Sequence, residues 1–512
     1  MHTDTQSDAL RFLSTGEAYG LPGARVDRID THISVVFLVA DRAYKLKRAV
    51  RFDYVDFSTL DLRRRCCEAE VALNRRTAPS LYRGVVPVCR RPDGTLALGG
   101  AGTPFEWLVE MARFDEATLF DRQAEAGTLS VGRVRELTDA VARFHAIAEV
   151  RTDHGGAPGM SWVVDGNVAD LADHEGRPFD APSLAALAAR TREALALHGS
   201  RLDARRARGC VRHCHGDLHL RNICLVDGRP TLFDAVEFND EISCVDVWYD
   251  VAFLLMDLVH RRLIGHANAV LNEYLDLTGD IDGLAVLPLF LSCRAAVRAK
   301  IDATAAEVQA APDRARALED EAREYLTQAL AFLTRPSPQL VAIGGLSGTG
   351  KSTLARSLAP LLGAPPGALV VRSDIVRKRL LGARDVTTRL DPSAYVPAVS
   401  SEVYRTLEAR AAHILETGET VIVDAVFQRE ADRSAIEAVA RSAGARFTGL
   451  WLDAQRDIVE ARLSARHDDA SDATVEVYRN QRGQDVGELT WARLDASTPT
   501  EAIVGEALRR LA

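Results

Sequence analysis

Two constellations of residues in this sequence could do phosphate chemistry. The first is His215-Gly216-Asp217-Leu218-His219-Leu220-Arg221-Asn222, followed by an apolar run, a turn at Asp227-Gly228 and a second run ending in Phe233-Asp234. Asp217 and Asn222 sit on one loop and can face the same phosphate, while Asp234 on the next hairpin strand can approach from the other side. The second is Gly345-Leu346-Ser347-Gly348-Thr349-Gly350-Lys351-Ser352, which fits GxxxxGK[ST] between an apolar run and a helical one. The glycines let the backbone N–H groups from Gly345 to Thr353 close around phosphate oxygens at a helix N-terminus. Lys351 then reaches the terminal phosphates, and Ser352 offers a hydroxyl to Mg2+. The apolar run Val421-Ile422-Val423-Asp424 ends in a carboxylate where a second Mg2+-organising acid is expected.

Between these last two motifs, Ser373-Asp374 follows a strand and opens at the carboxyl edge of a sheet, where ligands bind in α/β proteins. Asp374 could accept a substrate hydroxyl proton there, and Ser373 or Asp374 could equally cap the next helix. Arg456, Arg462 and Arg466 precede an acidic stretch and could neutralise a transferring phosphoryl group from a lid or simply lie on a solvated face.

The elements that position these residues change character along the chain. Residues 32–40 and 43–47 read as strands, residues 58–76 as a helix, and residues 85–89 and 105–111 as further strands before helical patterns take over. After Thr334-Arg335-Pro336-Ser337-Pro338, strands at 340–343, 368–372, 420–424 and 447–452 alternate with helices, the pattern of a parallel α/β sheet. Two prolines in three residues end the preceding helix, so the expected domains are 1–335 and 336–512.

The first constellation, with HGD in place of HRD and Asp234-Ala235-Val236-Glu237 in place of DFG, resembles the aminoglycoside phosphotransferase and choline kinase-like branch of kinases over about residues 20–330. The second resembles small P-loop kinases of the gluconate kinase, chloramphenicol phosphotransferase and nucleoside monophosphate kinase kind, from residue 340 to about 490. Together the halves look like bacterial fusions of an aminoglycoside phosphotransferase-like and a P-loop ATP-binding protein. The implied fold class is an α+β kinase-like N-terminal domain followed by an α/β P-loop NTPase domain. The resemblance implies Asp217 as base, with Asn222 and Asp234 on Mg2+. It also implies a lysine on the third strand that pairs with ATP phosphates. Ala43-Tyr44-Lys45 matches Ala-x-Lys, with Lys47 on the same face as the alternative. Its expected partner is Glu70, or else Glu68. Residues 105–113 would be the hinge strand meeting adenine. Asp246 and Asp250 would brace the loop or cap a helix.

Composition narrows the partners. The chain has 512 residues, 47% hydrophobic and 26% charged, which suits a multidomain globular protein. A net charge of −9 disfavours nucleic acid, so an oligonucleotide-end kinase is not expected. Five of 63 basic residues are lysine, which gives a lysine inside a motif added weight. The apolar stretch 251–259 is interrupted by Asp257 and falls far short of the roughly 20 residues a spanning helix needs, so no membrane segment and a cytoplasmic address are expected. Eight cysteines without a CxxC are expected as thiols, and a zinc site built from Cys210, Cys214, His213, His215 and His219 is disfavoured by its spacing. The expected function is ATP- and Mg2+-dependent phosphoryl transfer to a hydroxyl of a small polar metabolite by the N-terminal domain, with a second small-molecule kinase following. The alternative is a nucleotide-responsive regulator in which one ATP-binding domain controls the other.

Overall fold

The computed structural model describes residues 3–52, 54–383, 388–465 and 471–511. They form two compact units, one from residues 1–169 and 192–257, the other from residues 170–191 and 258–512. No helix among the described residues is long and apolar enough to cross a membrane.

The first unit is built on a six-stranded antiparallel sheet. Asp27–Asp30, Ser34–Val39, Arg42–Lys47, Thr103–Ala112, Tyr82–Arg90 and Leu96–Leu98 lie side by side in that order. Alternation along Arg42–Lys47 decides what each face does. Tyr44 and Leu46 join Val35, Phe37, Val88 and Leu108 on one face, buried against Ala9 and Leu13 of the helix Thr3–Leu13. Lys45 and Lys47 take the other face, toward the helix Leu60–Asn74, whose Cys67 and Val71 pack on Tyr82 and Val109. That helix begins where the Thr59 hydroxyl accepts from Leu62 N.

Two strands of this sheet escaped the sequence pattern for a physical reason. Asp27–Asp30 is mostly charged and Leu96–Leu98 is three residues long, and both are edge strands, where charge and brevity discourage pairing with other chains. Downstream, Ile223–Val226 and Arg229–Leu232 form a hairpin whose turn residues Asp227 and Gly228 have φ of 49° and 73°, as a tight type I′ turn requires. Val211–His213 pairs with Cys244–Asp246, which brings the start of the His215–Asn222 loop against the helix Val247–His260.

The second unit carries a five-stranded, all-parallel sheet in the order Leu369–Arg372, Val421–Asp424, Gln339–Gly344, Arg446–Asp453, Ala492–Asp495. Its core is Val341, Ile343, Ile422, Leu450 and Leu452 under Leu354, Ala355 and Leu358 of the helix Lys351–Leu358 and Ile503, Ala507 and Leu511 of the helix Thr500–Leu511. The last strand, Ala492–Asp495, was again missed as a short charged edge.

Compactness does not divide the chain at residue 335, because the helices Ile264–Thr278, Leu287–Glu307 and Pro312–Phe332 belong to the second unit. The first of them places side chains on the backbone of the edge strand: Asn268 Nδ2 donates to Pro366 O and Ala368 O, and Asn272 Oδ1 accepts from Val370 N. A fragment of residues 336–512 loses those partners and the cover over the edge strand, and each hydrogen bond exchanged for water forfeits about 0.5–1.5 kcal/mol. Residues 258–512 are therefore expected to melt cooperatively at higher temperature than residues 336–512. Equal melting temperatures in matched buffers would show that the helix contributes nothing to the sheet.

Candidate functional site

In the first unit the two strand lysines meet one buried carboxylate. Lys45 Nζ lies 2.9 Å from Glu70 Oε1 and 2.5 Å from Asp234 Oδ1, while Lys47 Nζ lies 2.6 Å from Glu70 Oε2 and 2.5 Å from Glu237 Oε1. Burial pushes the Glu70 carboxyl up, but the two ammoniums outweigh it and hold it down at about 2. Burial likewise disfavours the Lys45 cation, and Asp234 and Glu70 reverse this and raise its pKa well above the usual lysine range. Lys47 is 1% exposed in its side chain and Lys45 14%, so Lys45 is the one that bridges outward to the half-exposed Asp234. Glu68 instead pairs with Arg64 on the exposed face of the helix.

The His215–Asn222 loop is fixed from beneath. Asp250 Oδ1 accepts from Gly216 N at 2.8 Å and Oδ2 from His215 N at 3.1 Å, and Asp257 Oδ2 accepts from Leu220 N at 3.0 Å. Gly216 has φ +81°, and a Cβ there would stand 3.2 Å from Ile242 O and Val236 Cβ, so the HGD glycine is required by space and conformation together. His215 Nε2 donates to Phe233 O at 2.9 Å, tying the loop to the hairpin, and burial lowers its pKa so that the ring stays neutral. At the other end Asn222 Nδ2 donates to Asp217 Oδ2 at 2.8 Å and to Asp217 O at 2.9 Å. His219 Nδ1 accepts from Arg221 N, which leaves Nε2 as the ring's donor, 3.3 Å from Asp217 Oδ2. Asp246 grips the buried Arg205 through two bonds and caps Trp248 N.

Asp234 has φ +62°, a conformation that Asp and Asn tolerate better than most residues, and its N–H donates to the Tyr82 hydroxyl at 3.0 Å. The next residue, Ala235, donates its N–H to Asn74 Oδ1 at 2.8 Å, and Asn74 Nδ2 donates to Glu70 O. Asn74 thus clamps the Asp234 loop to the helix that carries Glu70. The sequence held one signal for this role: Asn74 stands one helical turn after Glu70, on the same face.

In the second unit the Gly345–Ser352 loop follows the central strand. A Cβ on Gly345 would stand 2.5 Å from Leu452 O. Lys351 Nζ donates to Leu346 O within the loop at 2.9 Å, and Ser352 Oγ donates to Asp424 Oδ2 at 2.5 Å. Arg372, which the sequence pattern did not single out, joins them: its Nη2 donates to Ser352 Oγ at 3.2 Å and its Nε lies 3.5 Å from Asp424 Oδ2. Asp374 stands in the first turn of the helix Ser373–Leu380, whose N-cap is Arg372, so neither Ser373 nor Asp374 is the cap residue. Burial raises the Asp374 pKa, against the pull of Arg372. Arg462 Nη1 is 3.4 Å from Thr349 O, over the loop, whereas Arg456 pairs with Glu460 on the exposed side of its helix. Arg466 lies outside the described residues. Gln481 was also missed: its Oε1 accepts from Ser347 N at 2.9 Å. The remaining loop residues, Gly348, Gly350 and Thr353, lie where the motif sets them, Gly350 leading into the helix Lys351–Leu358.

Cys210, Cys214, His213, His215 and His219 do not converge as a zinc site. Among the described residues Cys214 groups with His145 and Asp250, and His213 with Asp240 and Cys244, while His215 and His219 are engaged within the loop. All eight cysteines are free thiols.

Two family models match the chain, one described as the phosphotransferase enzyme family over residues 49–287 and one as an AAA domain over residues 340–484. An uncharacterized protein of Mycobacterium tuberculosis and one of Mycobacterium bovis are each 30% identical over 495 residues, spanning 94% of this chain and 94% of their own. The chain belongs to this family of two-domain phosphotransferase–AAA proteins. Its first part has the aminoglycoside phosphotransferase and choline kinase-like fold and its second the P-loop kinase fold, and at that level it is an ATP-dependent phosphotransferase. Among solved structures, a choline/ethanolamine kinase family protein from Mesorhizobium loti is 13% identical, covering 65% of this chain and 99% of that one, with a TM-score of 0.38. The APS kinase of Mycobacterium tuberculosis in complex with AMPPNP and APS is 23% identical, covering 34% and 98%, with a TM-score of 0.26.

Proposed function

We propose that the chain holds two independent ATP·Mg2+ sites, that residues 1–335 phosphorylate a hydroxyl of a small polar metabolite, and that residues 336–512 are a second small-molecule kinase. The observation that carries this is the convergence of Lys45, Glu70 and Asp234 beside a loop on which Asp217 and Asn222 are bonded to one another. The ranges matched by the two family models fall on either side of residue 335, which supports the division.

In the N-terminal site Asp217 takes the acceptor proton as the acceptor oxygen bonds to the γ-phosphorus and the bond to ADP breaks. Lys45, oriented by Glu70, holds the ATP phosphates, and Lys47 locks Glu70 from behind. Asn222 and Asp234 offer the oxygen donors that Mg2+ prefers, as do Ser352 and Asp424 in the second site. The cation supplies neutralisation of phosphate charge in both. In the second site the backbone from Gly345 to Thr353 and Lys351 bind the phosphates. Asp374 is the base, its raised pKa making it a stronger proton acceptor, and Arg462 steadies the transferring group from above the loop.

The test is a metabolite panel screened for ATP-dependent phosphorylation with the full chain and with Asp217→Asn and Lys351→Ala separately. A product lost in one variant and kept in the other assigns that substrate to one site. A product formed undiminished by both variants would sink the proposal.

A further inference from the structure

A helix inside the stretch matched to the phosphotransferase family lies against the P-loop sheet. Ile264–Thr278 falls within residues 49–287, yet it packs along Leu369–Arg372, the edge strand of the parallel sheet. Along that strand Leu369 N is bonded inward to Thr420 O at 2.9 Å, so Val370 N turns outward, where Asn272 Oδ1 accepts it at 2.7 Å. Asn272 Nδ2 donates to Ala368 O at 3.2 Å, and the buried Asn268 donates to Ala368 O at 3.0 Å and Pro366 O at 3.1 Å.

These contacts form a ladder with a simple metric. Four helical residues rise about 6 Å, and two strand residues advance about 6.6 Å, so each helical turn moves the contact two residues along the strand. Asn268 stands at 368 and Asn272 at 370, and the same spacing continued by one turn brings Asp276 level with Arg372. The charged groups facing Asp276 agree with that position. In order of their effect they are Arg410 on the helix Pro397–Glu416, Glu273 on its own helix, Arg372 at the strand end and Arg379 on the helix Ser373–Leu380. Arg372 is the residue whose guanidinium touches Ser352 Oγ and Asp424.

We infer that Asp276 is a positioning residue for the C-terminal nucleotide site, acting through Arg372 on Ser352 and Asp424; this rests on the reading of that loop as an ATP·Mg2+ site. A guanidinium beside two metal ligands opposes a divalent cation and competes for the carboxylate. A carboxylate near it offsets part of that charge. The consequence is a split that a general structural lesion does not produce. Without the Asp276 charge, the site holds Mg2+ less well but binds the anionic nucleotide alone no worse, because the net positive potential at the loop has risen.

The experiment uses the full chain carrying Asp234→Asn, which weakens the other site, and measures ATP binding by calorimetry across a Mg2+ series, with thermal melting alongside. Asp276→Asn is expected to raise the Mg2+ concentration for half-maximal enhancement about 5- to 10-fold, with Mg2+-free ATP affinity undiminished. Asp276→Glu is expected to restore most of the loss, and in an Arg372→Gln background Asp276→Asn is expected to have no further effect. An unchanged Mg2+ requirement, an equal loss of ATP affinity with and without Mg2+, or an undiminished effect in the Arg372→Gln background overturns the inference. Should Asp276→Asn not fold, Arg372→Gln is read by itself: it is expected to lower the Mg2+ requirement, and no change overturns the inference. Lys351→Ala in the same background separates the two levels. If ATP binding persists unaltered, the loop is not the nucleotide site and the inference falls with that reading. If binding is lost, the Asp276 result judges the inference alone.

Discussion

Lys351→Ala is expected to abolish ATP binding and turnover at the C-terminal site while leaving N-terminal phosphorylation measurable. In the folded chain the Lys351 ammonium donates to Leu346 O, a carbonyl of its own loop, and so is held where terminal phosphates would enter. Its removal deletes a charge that the described neighbours are placed differently to supply: Arg462 lies at Thr349 O, and Arg372 is engaged with Ser352 and Asp424. The core beneath is Leu354, Ala355 and Leu358, none of which touches this side chain's role, so the melting temperature is expected to stay near that of the parent. A charge-assisted contact to phosphate is worth about 1.5–3 kcal/mol, and two or three oxygens share this lysine, which puts the loss of affinity at about 100-fold or more. Calorimetric ATP titration of variants silenced at the other site reads this directly. Loss of both activities with the fold intact would mean that the two sites are not independent.

The sequence pointed to the candidate site residues and largely not to what supports them. Asp217, Asn222, Asp234, Lys351, Ser352 and Asp424 lie in short motifs because backbone geometry near a phosphate demands local spacing, and the bonds Asn222 to Asp217 and Ser352 to Asp424 join residues the motifs had already named. The Ala-x-Lys pattern favours Lys45, but strand alternation puts Lys47 on the same face, and it is the contact with Asp234 that separates them. Arg372 and Gln481 were silent for a different reason. Each acts across sequence separation, Arg372 on Ser352 and Gln481 on Ser347, and a single arginine or glutamine carries no local signature of such a partner. Edge strands were missed because the charge that protects an edge is the same charge that hides it from a hydrophobic pattern. The proline pair near residue 336 marked where the helix Pro312–Phe332 ends, but it could not reveal that the helix Ile264–Thr278, far upstream, supplies the edge strand with its hydrogen-bond partners.

Asp217→Asn is expected to lower turnover at the N-terminal site by about 10² to 10⁴ with little change in ATP affinity, whereas Asp234→Asn is expected to weaken Mg2+·ATP binding itself. The two carboxylates are placed for different work. Asp217 sits at the head of a rigid loop, its Oδ2 bonded by Asn222 Nδ2 and within reach of His219 Nε2, and it makes no ion pair with Lys45. An asparagine there keeps an amide oxygen for the same bonds, so the loop is retained and only the proton acceptor is lost. Asp234 is the partner of Lys45 and is held by Tyr82 and by Asn74 through Ala235. Asparagine is chosen at 234 because the φ of +62° is one it tolerates, where alanine would add backbone strain to the loss of charge. Removing this carboxylate leaves phosphate charge uncompensated before any chemistry, and it releases Lys45 toward Glu70 alone. If both residues merely braced the loop, both variants would lose melting temperature together and neither would separate binding from rate. Single-turnover rates, calorimetric ATP affinity and thermal melting on the two variants distinguish these cases. Full turnover by Asp217→Asn on an identified substrate would remove it as the base.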